Sequence, residues 1–370
     1  MPCVRRPGAL GSDDVVDTRG ASRPGAVTAL PGVIGLALVA LVTAACAGGG
    51  GAPADPPPPT RLARAFDLQA HRGGADLTSE NTLEAFARAL DIGVTTLELD
   101  AQVTRDGAVV VAHDNRVNPD TCRDTSPAGL SDDLFPYSGK PFRLLTLAQV
   151  RTLDCGYQPT PDHPDQRAVS GAHVPELREV VDLLRERGAD DVGLNVEIKV
   201  QADDLGLTVP RTEYAAKVWA VLDEGGVADR ATIQSFDWAS LTAVHHIAPG
   251  ARLVALVSPE RLEQGKESAS PWLGGIDIDD VGGDVVRAAS GIAGVVALSP
   301  REDLPVDAAL VRSAHAAGLA VVPWTVDDED DMGRLVDLGV DGLITNRPDL
   351  LRTVLARRGL ATPPSHPAAG

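Results

Sequence analysis

Short β-rich runs alternate with amphipathic helical segments from about residue 65 almost to the end of the chain, which limits the possible folds. Strand, helix and strand in repeated order are typical of a parallel sheet covered by helices. Helices are expected at 81–92, 175–187, 211–224, 238–246, 305–317, 328–337 and 348–357. Strands are expected at Asp67–His71, Thr95–Asp100, Gly193–Lys199, Ala231–Gln234, Arg252–Val257, Gly294–Leu298, Leu319–Val326 and Gly342–Thr345. Eight strands over roughly 290 residues favour an α/β fold of the (β/α)8 TIM-barrel type, whose typical size is ~250 residues.

One stretch, 116–172, interrupts this alternation and is rich in Pro, Asp, Gly and Ser. We interpret it as an insertion after the second strand of a barrel domain that spans 63–358, followed by a disordered tail at 359–370. A doubly wound open sheet is the alternative fold. It is disfavoured because no Gly-rich phosphate turn opens the first helix.

The N-terminal region indicates export. Residues 26–45 form an uncharged apolar run preceded by four arginines, and Cys46 follows directly. This order resembles a bacterial lipoprotein signal, so 1–45 is expected to be removed and Cys46 to carry the lipid anchor. A disordered Gly- and Pro-rich linker follows at 46–62. The folded part is then expected outside the cytoplasm, tethered to the outer face of the membrane or secreted. An uncleaved anchor helix is the alternative.

The cysteine count agrees with export. Cys3 lies in the signal segment and Cys46 is the lipid site, which leaves Cys122 and Cys155. In an oxidising compartment this pair predicts a disulfide, with two free buried thiols as the alternative. Two isolated cysteines do not supply the tetrahedral ligand set that zinc requires.

The net charge of −19 argues against a nucleic-acid partner, because phosphate backbones are bound by Lys and Arg patches. No feature of the sequence indicates an obligate protein partner. The chain has only four lysines, so the position of Lys199 within a predicted strand is informative.

Three acids are expected to converge inside the barrel. Side chains alternate along a strand, so Glu98 and Asp100 share one face, and Glu197 and Lys199 share the inward face of the strand at 193–199. Barrel enzymes keep their chemistry at the carboxyl ends of the strands. Three carboxylates favour one hard divalent cation, Mg²⁺ or Ca²⁺. The alternative is an internal salt bridge from Lys199 to Glu98 or Asp100.

Two histidines are expected beside these acids. An Asp-Gly turn at 106–107 predicts a two-residue hairpin in which Arg105 pairs with Ala108, and this register would place His113 opposite Asp100. His71 ends the first predicted strand and precedes Arg72, whose planar guanidinium can bind a phosphate through two hydrogen bonds.

Ordered motifs surround these residues. They are His71-Arg72-Gly73, Glu80-Asn81-Thr82, Glu98-x-Asp100, His113-Asp114, Glu197-Ile198-Lys199, Gln234-Ser235-Phe236, Trp324-Thr325-Val326 and Gly339-Val340-Asp341-Gly342 through Thr345-Asn346. In order and approximate spacing they resemble the glycerophosphodiester phosphodiesterase family, over about residues 66–355. The run that follows His113-Asp114 departs from the family pattern, which leaves the leaving-group specificity open.

The resemblance implies a barrel enzyme that hydrolyses glycerophosphodiesters to glycerol 3-phosphate and an alcohol. It implies that His71 and His113 act as general acid and base. The other implied roles are metal binding by Glu98, Asp100 and Glu197, phosphate binding by Arg72 and Lys199, orientation of Arg72 or His71 by Glu80, and contact with the glycerol or alcohol group by Trp324.

Purely structural roles are the alternative for some of these residues. Glu80 could simply be an acid at a helix N-terminus, Trp324 a core aromatic residue, and Phe236 is expected in the core. Two alternative functions remain: phospholipase D-like cleavage of lysolipids or sphingolipids, and phosphodiester binding without turnover by a surface lipoprotein. The paired histidines favour catalysis, because a binding protein has no use for proton-transfer groups.

Overall fold

A computed structural model describes residues 66–368. The predicted signal segment 1–45, Cys46 and the linker 46–62 lie outside the described residues, so those predictions stay untested. Among the helices of the described range, none has both the length and the apolar character needed to cross a membrane.

Nine strands form the central sheet, and eight of them run parallel. They are β1 (Asp67–Ala70), β2 (Thr96–Val103), the antiparallel β3 (Val109–Val111), β4 (Gly193–Ile198), β5 (Ala231–Ser235), β6 (Arg252–Val257), β7 (Val295–Pro300), β8 (Ala320–Val321) and β9 (Gly342–Thr345). The parallel strands lie in the order β8-β7-β6-β5-β4-β2-β1-β9, with β3 paired to β2.

The ends of this order meet and close the barrel. The backbone N–H groups of Asp341 and Ile344 donate to the carbonyls of Val321 and Pro323, at 2.9 Å each, and Val326 N–H donates to the Ile344 carbonyl at 3.0 Å. The predicted strand 319–326 thus keeps regular strand geometry only at Ala320–Val321, and Pro323 in its middle has no N–H to donate. The (β/α)8 TIM barrel is confirmed.

Helices surround the barrel. They are α1 (Leu83–Ile92), α2 (Leu147–Val150), α3 (Leu177–Glu186), α4 (Arg211–Glu224), α5 (Trp238–Ile247), α6 (Pro259–Leu262), α7 (Val285–Ser290), α8 (Ala308–Ala316), α9 (Glu329–Leu338) and α10 (Pro348–Arg357). Apolar stripes hold them on the strands: α3, for example, buries Leu177, Val180, Val181 and Leu184 at helical spacing. The seven predicted helices are confirmed, whereas the short α2, α6 and α7 were not predicted.

The hairpin between β2 and β3 corrects the predicted register. Ala101 pairs with Val111, so Asp100 lies opposite Ala112 rather than His113. The turn has three residues between Thr104 and Ala108, and its last, Gly107, has the left-handed φ of 86°. Such a turn adds one residue to the predicted two-residue loop, which shifts every later pair by one.

The insertion builds a small apolar core of its own around Tyr137, Phe142 and Leu145. The predicted disulfide is present and joins Cys122 to Cys155. The insertion also fixes the loop that follows β1: Ser79 N–H donates to the Arg167 carbonyl at 3.1 Å, and Gln166 Nε2 donates to the Ala75 carbonyl at 3.1 Å.

The predicted C-terminal tail contacts the barrel over its described part, 359–368. His366 N–H donates to the Leu90 carbonyl at 2.8 Å, and Arg187 Nη1 donates to the His366 carbonyl at 3.0 Å. These bonds place the tail along α1 and α3. The sequence alone predicts that this tail is disordered.

Candidate active site

A cavity of about 200 Å³ opens at the carboxyl ends of the strands, where barrel enzymes place their chemistry. Its polar wall comes mainly from β1, β2, β4 and their loops and consists of His71, Arg72, Glu98, His113, Asp114, Asn115, Glu197, Lys199, Gln201 and Gln234. Its aromatic wall comes from the ends of β5, β6 and β8 and consists of Phe236, Leu256, Arg261 and Trp324.

Three acids converge at the base of the polar wall. Glu98, Asp100 and Glu197 each offer an oxygen within 4.8 Å of the others, and all three are buried. The convergence follows from strand geometry: Glu98 and Asp100 share one face of β2, and Asp100 is the register partner of Glu197 on β4. An all-oxygen set without cysteine or histidine suits a hard divalent cation.

The pKa values of the three acids shift in different directions. Burial raises the pKa of Glu98 well above its usual range, and the neighbouring Asp100 raises it further. Burial also raises the pKa of Glu197 and outweighs the opposing effect of Lys199. The pKa of Asp100 is lowered instead, because Lys199, His113 and Arg72 together outweigh burial. A cation bound among these acids would relieve the repulsion that raises the pKa of Glu98.

Lys199 is one of two basic groups in the cluster. Its Nζ lies 3.1 Å from Glu197 Oε1 and 3.4 Å from Asp100 Oδ1. The internal salt bridge considered from the sequence therefore forms, to Asp100 and Glu197 rather than to Glu98. Together with Arg72 it places two basic groups beside three carboxyl groups, so acidic groups remain in excess in this cluster.

Arg72 lies in the turn that follows β1, with a left-handed φ of 51°. Its backbone N–H donates to Glu98 Oε2 at 2.9 Å, and its Nη1 donates to Glu80 Oε2 at 2.9 Å. Gly73 is required beside it, because a Cβ at that position would lie 2.8 Å from the Cβ of Ala85. Glu80 thus contacts Arg72 rather than His71, and it borders a smaller adjoining cavity of about 30 Å³.

The two histidines have different partners. His71 Nδ1 lies 2.6 Å from the amide oxygen of Asn346, and burial together with Arg72 lowers the pKa of His71 well below its usual value. His113 Nδ1 lies 2.9 Å from Asp114 Oδ1. The pKa of Asp114 falls to about 2, because hydrogen bonds from His113 and Asn118 outweigh its burial.

Phe236, which was expected in the core, is buried in a small apolar cluster with Leu256 and Trp272 and also lines the cavity. The rings of Phe236 and Trp324 meet edge to face with centroids 5.2 Å apart. Trp324 Nε1 donates to the Ser299 carbonyl at 3.0 Å, which fixes the indole. The guanidinium of Arg261 lies over Phe236, 3.9 Å from the ring centroid.

Sequence reasoning missed several polar partners. Gln234 Nε2 donates to Glu98 Oε1 at 2.7 Å, and Asn81 Nδ2 donates to Asp100 Oδ2 at 2.9 Å. Both residues belong to quoted motifs, so a signal for them existed. Asn346, the partner of His71, also belongs to a quoted motif, whereas Arg261, in the short helix α6, belongs to none.

Comparison with known proteins agrees with this geometry. The family model described as "Glycerophosphoryl diester phosphodiesterase family" matches residues 71–350. A glycerophosphodiester phosphodiesterase of Caldanaerobacter subterraneus subsp. tengcongensis is 29% identical over 291 residues, covering 78% of this chain and 98% of that protein.

Two solved structures share the fold. A Silicibacter pomeroyi protein assigned to the glycerophosphoryl diester phosphodiesterases superposes with a TM-score of 0.67 at 30% identity, over 80% of this chain and 95% of that one. An Oleispira antarctica phosphodiesterase, solved with the product sn-glycerol-3-phosphate, superposes with a TM-score of 0.57 at 20% identity, over 79% and 97% of the two chains. Because the family model spans most of the described barrel, this chain belongs to the glycerophosphoryl diester phosphodiesterase family.

Proposed function

We propose that this glycerophosphodiester phosphodiesterase is metal-dependent and releases glycerol 3-phosphate and an alcohol by acid–base catalysis with two histidines. The observation that carries the proposal is one cavity lined by Glu98, Glu197, two histidines and two basic side chains, with the third acid, Asp100, within 4.8 Å of the other two. The Oleispira antarctica enzyme, which has the same fold, was solved with sn-glycerol-3-phosphate, and this supports the same product here.

Glu98, Asp100 and Glu197 would hold the cation. Their oxygen ligands fit Mg²⁺ or Ca²⁺. When bound, a divalent cation supplies Lewis-acid polarisation of phosphoryl oxygens. Arg72 and Lys199 border the same cavity and would stabilise negative charge on the phosphate as the transition state forms.

His71 suits the general base. Its lowered pKa keeps it neutral at neutral pH, and its Nε2 is free to accept a proton when Nδ1 faces Asn346. His113 suits the general acid, since the contact of its Nδ1 with the Asp114 carboxylate orients the ring and leaves Nε2 for the leaving oxygen. As the nucleophilic oxygen bonds to phosphorus, its proton would pass to His71. As the bond to the leaving alcohol breaks, His113 would protonate that oxygen. The nucleophile is either water or a substrate hydroxyl.

Trp324 and Phe236 would contact the glycerol or alcohol carbons, since their rings form the apolar part of the cavity. A phospholipase D-like activity on lysolipids would need a wide apolar cleft beside the insertion. The cavity found there among the described residues is only about 30 Å³, and its lining includes Glu80, Asp114 and Arg116. No observation therefore favours that second activity.

The test is a substrate panel. Purified protein is assayed with glycerophosphocholine, glycerophosphoethanolamine, glycerophosphoglycerol and lysophosphatidylcholine, with Mg²⁺ or Ca²⁺ and with a chelator. We expect glycerol 3-phosphate from the glycerophosphodiesters and loss of activity on chelation. Release of free glycerol from glycerophosphocholine or glycerophosphoethanolamine, hydrolysis of the lysolipid alone, or undiminished activity in chelator would overturn the proposal.

We also propose that the enzyme is tethered to the outer face of the membrane through a lipid on Cys46, which the sequence of residues 26–46 supports. Mass spectrometry of the N-terminal peptide from membranes should show an acylated cysteine. The Cys46→Ser variant should lose that modification. An unmodified Cys46 in wild-type protein would contradict the anchor.

A further inference from the structure

Asp327 lies on the loop after β8 and reaches His71 through a single intervening side chain, Asn346. We propose that Asp327 is a positioning residue that fixes, through Asn346, which ring nitrogen of His71 carries the proton. The inference rests on the proposed function, because it concerns the histidine assigned as the base.

The hydrogen bonds around Asn346 give the amide one orientation. Asp327 Oδ2 accepts from Asn346 Nδ2 at 2.8 Å, and Asp327 Oδ1 accepts from the Asn346 backbone N–H at 2.7 Å and from Thr345 Oγ1 at 2.9 Å. A carboxylate accepts hydrogen bonds and donates none. The NH₂ group of Asn346 must therefore face Asp327, and its oxygen must face the other way.

That orientation determines the state of His71. The amide oxygen of Asn346 lies 2.6 Å from His71 Nδ1 and can only accept, so Nδ1 must carry a proton. In the neutral ring Nε2 is then the nitrogen with a free lone pair. Without Asp327, either the oxygen or the NH₂ group of the Asn346 amide could face His71. The tautomer of His71 with its proton on Nε2 would then become accessible.

The fold keeps this chain of contacts in place. Ala70 of β1 is the register partner of Thr345 of β9, so the next residue along each strand, His71 and Asn346, are neighbours at the barrel rim. Asn346 is only 6% exposed, which limits the access of water that could replace either partner. Asp327 itself is partly buried, and its surroundings include Asp76, Glu302 and Arg347.

The decisive variant is Asp327→Asn. It keeps the shape of the side chain, but its amide can both donate and accept hydrogen bonds. We expect kcat on a glycerophosphodiester to fall by about 10–100-fold with KM changed less than about twofold, the usual cost of losing a group that orients a reacting ligand. Long-range ¹⁵N NMR of the histidine rings, assigned with His71→Ala, should show that His71 loses its single Nδ1–H tautomer.

The matched control is Asp328→Asn. Asp328 is exposed, caps α9 through the N–H groups of Asp330 and Asp331, and does not belong to the residues that line the cavity, and asparagine caps helices equally well. This variant makes the same charge change one residue away. It should retain wild-type kcat and the wild-type tautomer.

A rescue variant separates positioning from loss of structure. Combining Asp327→Asn with Asn346→Asp reverses the order of amide and carboxylate, so the carboxylate accepts from His71 and the new amide donates to it. Activity should recover relative to Asp327→Asn alone. The pH at which His71 is half-protonated should rise by about one unit in the double variant, because a carboxylate beside the ring favours the imidazolium. The other charged neighbours of His71, which this variant leaves unchanged, are Arg72, Asp100 and His113.

The inference is wrong if Asp327→Asn leaves the tautomer unchanged, whatever happens to kcat, or if Asp328→Asn lowers kcat to the same extent. It is also wrong if the double variant is no more active than Asp327→Asn. Failure of the proposed function gives a different result: wild-type protein would cleave no glycerophosphodiester, while the NMR comparison would still report on Asp327.

Discussion

The polar and aromatic walls of the cavity are held in place in different ways. In the polar wall the acids, basic groups and histidines are cross-linked by hydrogen bonds and ion pairs, many of them between different strands. In the aromatic wall the rings are held by packing, with one indole hydrogen bond at Trp324. The first arrangement is preorganised for charge that develops during reaction, and the second recognises shape.

This difference between the walls predicts which substitutions change kcat and which change KM. Changes in the polar wall should lower kcat, since the proposed function assigns those groups to the reacting phosphate. Changes in the aromatic wall should mainly raise KM, since it assigns those groups to parts of the substrate that do not react.

The largest effect is expected at the histidines. Replacing His71 or His113 by Ala should lower kcat by about 10²–10⁴-fold, the usual cost of losing a general acid or base. His246→Ala is the matched control, because His246 is exposed on α5, where its Nδ1 lies 2.8 Å from the Thr242 carbonyl of the same helix. Steady-state kinetics at saturating metal provides the measurement. Wild-type turnover in either cavity variant would remove that histidine from the mechanism.

A smaller effect is expected at Gln234. Its Nε2 donates to Glu98 Oε1 and its Oε1 accepts from Asn195, so it orients one acid of the proposed metal site. Gln234→Leu should raise the metal concentration needed for half-maximal activity by about 10–100-fold, as expected for a group that orients a ligand. Activity is titrated against Mg²⁺ and Ca²⁺ after chelation. An unchanged midpoint would show that Glu98 needs no such support.

Substitution of Trp324 in the aromatic wall is expected to have a smaller effect than substitution of Gln234. Trp324→Ala removes a ring that closes the cavity and should raise KM about tenfold with little change in kcat, since such apolar contacts contribute roughly 1–3 kcal/mol. Trp324→Phe is the control and should stay close to wild type because a ring remains. If Trp324→Ala instead lowered kcat with KM unchanged, the division of roles between the two walls would be wrong.

The sequence predicted the polar wall better than the aromatic wall, for a physical reason. Side chains alternate strictly along a strand, so the inward direction of Glu98, Asp100 and Glu197 follows from the pattern alone. The conformation of a loop has no such period. Arg261 lies over Phe236 because the chain after β6 forms the short helix α6, which was not predicted, and the hairpin register changed with a single residue in its turn.

Long-range partners were also beyond local patterns. His71 and Asn346 are 275 residues apart in the chain and meet only because the barrel closes β9 against β1. The alternation of strands and helices predicted the barrel itself, yet nothing local specified that Asn346 would face His71. Similarly, the tail was expected to be disordered, whereas its contacts depend on carbonyl groups and arginines brought together by the fold.

The smallest effect on activity is expected at the Cys122–Cys155 disulfide, which lies in the insertion behind the polar wall. If the hydrogen bonds of that wall position its side chains by themselves, the paired change Cys122→Ser and Cys155→Ser should alter kcat/KM less than about twofold. The variant should still be less stable by about 2–4 kcal/mol, since the bridge restricts the unfolded chain. Kinetics and urea unfolding measure the two effects separately. A tenfold loss of kcat in folded protein would mean that the insertion, through Asp114 and Asn118, sets the position of His113.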